Sequence, residues 1–173
     1  MRKYVIMNKK GFTILEMTAV IFIVAFALVG ILSFVAQNIK AQYINKNELI
    51  ASMLAQEGIE LIRNIRDTNW INNQTWNQSF GVPGYYIVDY VHGITSEAGP
   101  PLSSSLYDLC LNANGFYIDN PSGGFCSTPT NFKRVITISN TTTASTSVSC
   151  DVRWTQGGNN FDYVVSTDLY DWK

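Results

Sequence analysis

Apolar residues are spread very unevenly along this chain. Phe12 to Ala36 holds 25 residues with a single charge, Glu16, and residues 17–36 (MTAVIFIVAFALVGILSFVA) run for 20 positions without any. A helix of about 20 residues spans a hydrocarbon core of about 30 Å, so the run predicts a transmembrane segment. The helical pattern continues beyond it. From Lys40 to Arg66 there is no Pro, and Tyr43, Ile50, Leu54, Leu61 and Ile65 recur at alternating steps of seven and four, which keeps one face apolar. The other face carries Lys46, Glu48, Ser52, Gln56, Glu60, Arg63 and Asp67, with Glu60–Arg63 and Arg63–Asp67 spaced for i,i+3 and i,i+4 contacts. One helix from Phe12 to Arg66 would be about 80 Å long. Gly30 and Gly58 are its weak points, each costing about 1 kcal/mol relative to Ala. Such a stripe packs on the chain's own sheet or enters a coiled coil; with fewer than four clean heptads, the sheet is favoured.

Beyond Asp67 the pattern changes. Asn69 to Gly84 (NWINNQTWNQSFGVPG) is rich in Asn, Gln and aromatics and reads as a loop capping the helix. Short β-like runs follow: Tyr85–Val91, Phe116–Ile118, Phe132–Ser139, Val148–Trp154 and Phe161–Leu169. The fourth alternates most cleanly, with Val148, Cys150, Val152 and Trp154 set against Ser149, Asp151 and Arg153. Gly157-Gly158-Asn159-Asn160 joins it to the last run as a hairpin. Pro100-Pro101 with Ser103–Ser105, and Asn120–Pro129, read as loops. The predicted fold class is α+β: a lollipop whose long N-terminal helix packs on a C-terminal antiparallel meander.

Composition sharpens this picture. The 173 residues are 46 % apolar and only 14 % charged, against about 25 % charged in an ordinary soluble domain. A freely soluble cytosolic enzyme and a disordered chain are both disfavoured. Net charge is −1, but Arg2, Lys3, Lys9 and Lys10 all precede Phe12, and without residues 1–11 the chain has 8 basic and 13 acidic residues. A mildly acidic body, with Lys133-Arg134 as one basic pair, gives no footing for nucleic acid. Four basic residues before the span against Lys40 and Lys46 after it place the N-terminus in the cytoplasm and the body outside. Cleavage after the apolar run is disfavoured, because Phe34 stands where a signal-peptide site wants a small residue.

Glu16 is the unexpected residue in this segment. A carboxylate at the centre of a membrane helix costs about 2.5–3.5 kcal/mol, less near an end. Either Glu16 sits hydrated at the interface, or it awaits a cation. Lys9-Lys10-Gly11 stands directly before Phe12-Thr13-Ile14-Leu15-Glu16. Cleavage after Gly11 would give Phe12 an α-amine with a pKa near 8. On an ideal helix Glu16 lies one turn below that amine and would pair with it or with a neighbouring chain's. The run KKGFTILEMTAV resembles the cleavage and methylation motif of type IV prepilins and type II secretion pseudopilins. The resemblance covers about the first 30 residues. It implies that residues 1–11 are a leader, removed on the cytoplasmic side by a prepilin peptidase that also N-methylates Phe12. It also implies that Glu16 recognises the Phe12 amine of an adjoining subunit during assembly. Residues 12–36 would be the membrane and assembly helix, 37–67 its amphipathic continuation, and 68–173 a β-rich head. Met7 is an alternative start, giving the leader Met7–Gly11. Pilins of this class often kink at a Pro about twenty residues into the mature chain; here that position is Ser33. The ending TDLYDWK also resembles minor pilin and pseudopilin C-termini.

Three cysteines lie in the part expected outside, where disulfides form. Cys110 and Cys126 flank an excursion of 15 residues whose closure contributes about 3 kcal/mol, and they are the expected pair; Cys150 is expected to be a buried thiol. Without C-x-x-C or a His/Cys cluster, no zinc site or other cofactor is expected. His92, the single histidine, has no nucleophile motif beside it and is expected at the surface. Asp162, Asp168 and Asp171 match no calcium loop. Trp70, Trp76, Phe80, Tyr85 and Tyr86 would pack around the helix end or form a surface for sugar or protein. The implied role is a structural, non-enzymatic, minor pilin-like subunit of a type IV pilus, held in the inner membrane before entering the fibre. Its partners would be the peptidase, other pilin subunits, lipid, and an assembly platform with a separate ATPase. A type II secretion pseudopilin is the nearest alternative. A membrane-anchored binding protein or enzyme that never polymerises is another, and a DNA-uptake subunit is disfavoured by the acidic body.

Overall fold

The computed structural model describes residues 11–97, 105–119 and 128–172. Helix α1 runs from Ile14 to Ile71, 58 residues, and passes through both Gly30 and Gly58. The chain divides into two compact units at Ile44/Asn45. In the first, the described side chains are almost all exposed.

In the second unit, the C-terminal part of α1 packs on an antiparallel sheet. Seven strands build it: β1 (Gly84–Asp89), β2 (Gly93–Glu97), β3 (Asp108–Leu111), β4 (Tyr117–Asp119), β5 (Thr128–Ser139), β6 (Ser145–Gln156) and β7 (Asn159–Tyr170). The predicted simple meander holds only for β5–β7. One edge of β5 pairs with β6, and the other is divided: β1 takes Ile136–Ile138 while β3 takes the stretch from Thr128 to Lys133. β2 lies outside β1, β4 outside β3, and β7 outside β6. The last hairpin turns on Gly157 and Gly158 alone, both with positive φ (59° and 81°), as a two-residue primed turn requires; Asn159 and Asn160 already belong to β7. β2 and β3 occupy sequence that carried no strand signal, and β5 starts at Thr128, inside the stretch expected to be a loop.

The buried stripe of α1 is Ala51, Leu54, Ala55, Gly58, Ile59 and Ile62. Among the apolar positions used to predict it, Leu54 is central, Ile50, Leu61 and Ile65 are flanking, and Tyr43 is exposed. Small residues hold the centre because the helix comes close to the sheet. A Cβ on Gly58 would stand 2.7 Å from Cys150 Sγ and 3.1 Å from Ile136 Cδ1. Phe132, Ile136 and Ile138 of β5, with Val148, Cys150, Val152 and Trp154 of β6, supply the facing layer. The alternation read in β6 is therefore correct, and Cys150 is the buried free thiol expected, its pKa pushed by burial up to about 12.

The segment after α1 is core more than loop. Asn73 adopts a left-handed φ of 55° just past the helix end. Of the aromatic run, Trp70, Trp76, Phe80 and Tyr86 are buried and pack in the core, while Tyr85 is half-buried against Ile87, Tyr107 and Val135. The C-terminal residues dock there too: Trp70 Nε1 donates to Asp171 Oδ1 at 3.2 Å, and Trp172 meets the Trp70 ring edge-on with centroids 4.6 Å apart. Glu60 and Arg63 pair as expected, at 2.5 Å, but Asp67 pairs with Arg66 instead of Arg63, whose other nitrogen turns to Thr167.

Candidate functional site

Gly11, Phe12 and Thr13 precede the helix, and this changes the local geometry expected around Glu16. Thr13 is the N-cap: its carbonyl accepts the first helical bond from the Met17 amide at 3.1 Å, and its Oγ1 accepts from the Glu16 amide at 3.3 Å. Thr-x-x-Glu is the sequence of a capping box, a signal present in the chain but masked by the more conspicuous apolar run. Phe12 therefore lies outside the helix, and Glu16 is in the first turn, where the helix dipole favours a carboxylate. Within the described residues that carboxylate makes no ion pair.

The segment that follows suits an apolar solvent. Phe12, Phe22, Phe26 and Phe34 are each between 68 % and 77 % exposed. The polar side chains satisfy themselves on their own helix: Thr18 donates to the Leu15 carbonyl, Ser33 to Val29 and Asn38 to Phe34, all at 2.8–2.9 Å. With the backbone bonded internally, little would be left unmet in hydrocarbon. Among the described residues this is the one helix long and apolar enough to cross a membrane.

The remaining predicted residues belong to the second unit or fall outside the described residues. Cys110 is buried in β3, while its expected partner Cys126, the leader residues 1–10 and most of the two expected loops lie outside the described residues. His92 is exposed on the β1–β2 turn, as expected, with Nδ1 2.7 Å from Asp89 Oδ2. Asp168 accepts from Ser147 and Asp171 from Trp70, and no cluster suited to a metal occurs among the described residues. A concavity of about 410 Å³ is bounded partly by Lys133, Asp151, Arg153 and Asp162. There Arg153 Nε meets Asp151 Oδ2 at 2.8 Å, and Lys133 pairs with Asp108 outside the lining.

Lys133-Arg134, read from the sequence as a single basic pair, is split by strand alternation. Arg134 turns under α1 and is 1 % exposed. Its Nη2 donates to the Val88 carbonyl at 2.6 Å, and its Nη1 lies 3.4 Å from both the Leu54 carbonyl and Glu57 Oε2. A buried arginine in a run as short as FKRVITIS has no periodic signature of its own; only its place between Phe132 and Ile136 on the inward face marks it.

No protein-family model matches the chain, and no curated protein or solved structure matches it either.

Proposed function

We propose that the chain is a structural subunit of a type IV pilus or related fibre, made as a single-pass inner-membrane precursor with its β-rich unit outside. Prepilin peptidase cleaves between Gly11 and Phe12 and methylates Phe12. The observation that carries this reading is Glu16: a lone carboxylate without an ion pair among the described residues, at the head of a helix whose next 20 residues are uncharged and whose apolar side chains are exposed. In assembly these side chains exchange lipid for like helices, and Glu16 meets a neighbouring Phe12 amine where little water competes. Other pilin subunits and a membrane platform with its own ATPase are the partners; the chain itself carries no phosphate-binding Gly loop. A type II secretion pseudopilin would use the same helix in the same way.

The cysteines fit an exported unit. We assign the disulfide to Cys110–Cys126, a pairing supported by Cys110 being disulfide-bonded and Cys150 being a free, buried thiol.

The test is the N-terminal residue and mass of the protein recovered from native membranes and from sheared surface material. N-methylated Phe12 is expected. A chain starting at Met1 or Met7, in a host with active prepilin peptidase, would replace this reading with that of a non-polymerising membrane-anchored protein.

A further inference from the structure

Two buried carboxylates, Asp89 at the end of β1 and Asp119 at the end of β4, lie close together in opposite conditions. Asp89 is well supplied with donors: the Val91 and His92 amides reach Oδ1 at 2.9 and 2.5 Å, while His92 Nδ1 and the Asp119 amide reach Oδ2 at 2.7 and 3.0 Å. The Asp119 side chain is 2 % exposed, yet among the described residues neither of its oxygens has a hydrogen-bond partner. Arg134 is its nearest counter-charge, with Nη2 3.6 Å from Oδ1, beyond hydrogen-bond reach. That guanidinium is already engaged by the Val88 carbonyl, and its Nε is itself unpartnered. The other charged or titratable groups facing Asp119 are Glu57 on α1, Asp89 on β1 and the Cys150 thiol on β6, and none is a cation.

We propose that Asp119 is a proton-operated latch holding the short edge strand β4 against β1 and the Arg134 centre. Protonated, the carboxyl is a neutral group that the dry interface tolerates, and Arg134 keeps Glu57 as its counter-ion. Ionised, it is a third negative charge beside Asp89 and Glu57, with Arg134 beyond hydrogen-bond reach and no well-aligned donor to receive it. The structure relieves that charge by letting water reach it, and the easiest way in is to loosen β4. This strand is three residues long and pairs only with β3. The device belongs to the second unit and does not depend on fibre assembly.

The energetic direction follows from the environment. Burial pushes the Asp119 carboxyl up to about 7, and Asp89 and Glu57 push the same way; Arg134 pulls down, as does the nearby Val88 amide without a well-aligned hydrogen bond. An unfolded Asp releases its proton near 3.9. Asp119 therefore favours the folded state fully below about pH 4 and loses that contribution as pH rises to about 7, the reverse of an ordinary ion-paired carboxylate. For Asp89, burial alone would raise the value, but the His92 and Asp119 hydrogen bonds outweigh it and hold it below the usual range, so Asp89 weakens the fold only in stronger acid.

The experiment is amide hydrogen exchange on the full chain in detergent micelles at about pH 5 and about pH 8, corrected for intrinsic rates. Protection at Tyr117–Asp119 should fall about tenfold more than protection in β6 and β7 across that interval. Asp119→Asn should abolish the difference, whereas His92→Gln, which removes the imidazole beside Asp89, should leave it. Equal loss in all strands, or a difference that survives Asp119→Asn and vanishes in His92→Gln, overturns the latch. Should Asp119→Asn fail to fold, ¹³C-Asp labelling of the wild-type chain decides: one carboxyl carbon must titrate near neutrality, and its absence overturns the proposal.

Discussion

Residues 14–44 and 45–71 belong to one helix, yet they are apolar for different reasons. In the first stretch, as far as Ala36, Ile, Val, Phe and Leu occur all round and no face is reserved for water. In the second, apolar residues occupy a stripe, and its centre is made of Ala51, Ala55 and Gly58, whose merit is being small. The lesson is that hydrophobicity alone does not tell a helix what to pack on. A segment apolar on every side specifies a solvent, whereas a stripe with small residues at its centre specifies one partner at a fixed distance.

The largest expected effect separates the two stretches outright. Glu16→Ala should abolish incorporation into sheared fibres while membrane insertion and the thermal unfolding of the second unit stay as in the wild type. Immunoblots of sheared and membrane fractions read this out, and fibres assembled normally from Glu16→Ala would end the assembly role of Glu16. Next in size is the contrast between the helix glycines. Gly58→Ala drives a methyl to within 2.7 Å of the Cys150 sulfur and should destabilise the second unit by about 1–3 kcal/mol. Combining it with Cys150→Ala should restore part of that loss. Gly30→Ala meets nothing within 4 Å and should strengthen the helix by up to about 1 kcal/mol. Denaturant unfolding in micelles compares all three, and equal effects at the two glycines would show that the helix does not approach the sheet closely at Gly58. The smallest effect is at the helix start. Thr13→Ala removes the acceptor of the Glu16 amide and should cost about 1 kcal/mol, seen as faster hydrogen exchange confined to the first turn.

What could be read from the sequence follows the same division. The span, the continuation of the helix and the β5–β7 hairpins rest on long runs with one period, and such runs survive folding. The centre of the stripe was misplaced because counting large apolar residues favours Tyr43 and Leu61 over Ala51, Ala55 and Gly58, and closeness of approach is a property of two elements together. β2 (GITSE) is too polar and β3 (DLCL) too short to declare a period; they are strands because β1 and β5 offer them edges. The Asp89–Asp119–Arg134 centre joins residues 15 to 45 positions apart that sit in unremarkable local sequence. Glu16, by contrast, was conspicuous from the start, since a single charge in an apolar run needs no partner to be noticed. Its capping bond to Thr13 was equally readable and simply drew less attention.

The divided edge of β5 also sets a timetable. The stripe on α1 ends at Ile62, but the central part of the layer that covers it comes only with Phe132 and the rest of β5, β6 and β7. A ribosome adding about 5–20 residues per second needs about 4–14 s to make the intervening stretch. Throughout that interval Leu54, Ile59 and Ile62 have been synthesised without the strands meant to shelter them. β1, too, waits for the strand it will lie against. The earliest moment at which this second unit can close is therefore the completion of its last hairpin, so a chain cut short between Ile71 and Asn159 leaves behind a finished helix and no finished core.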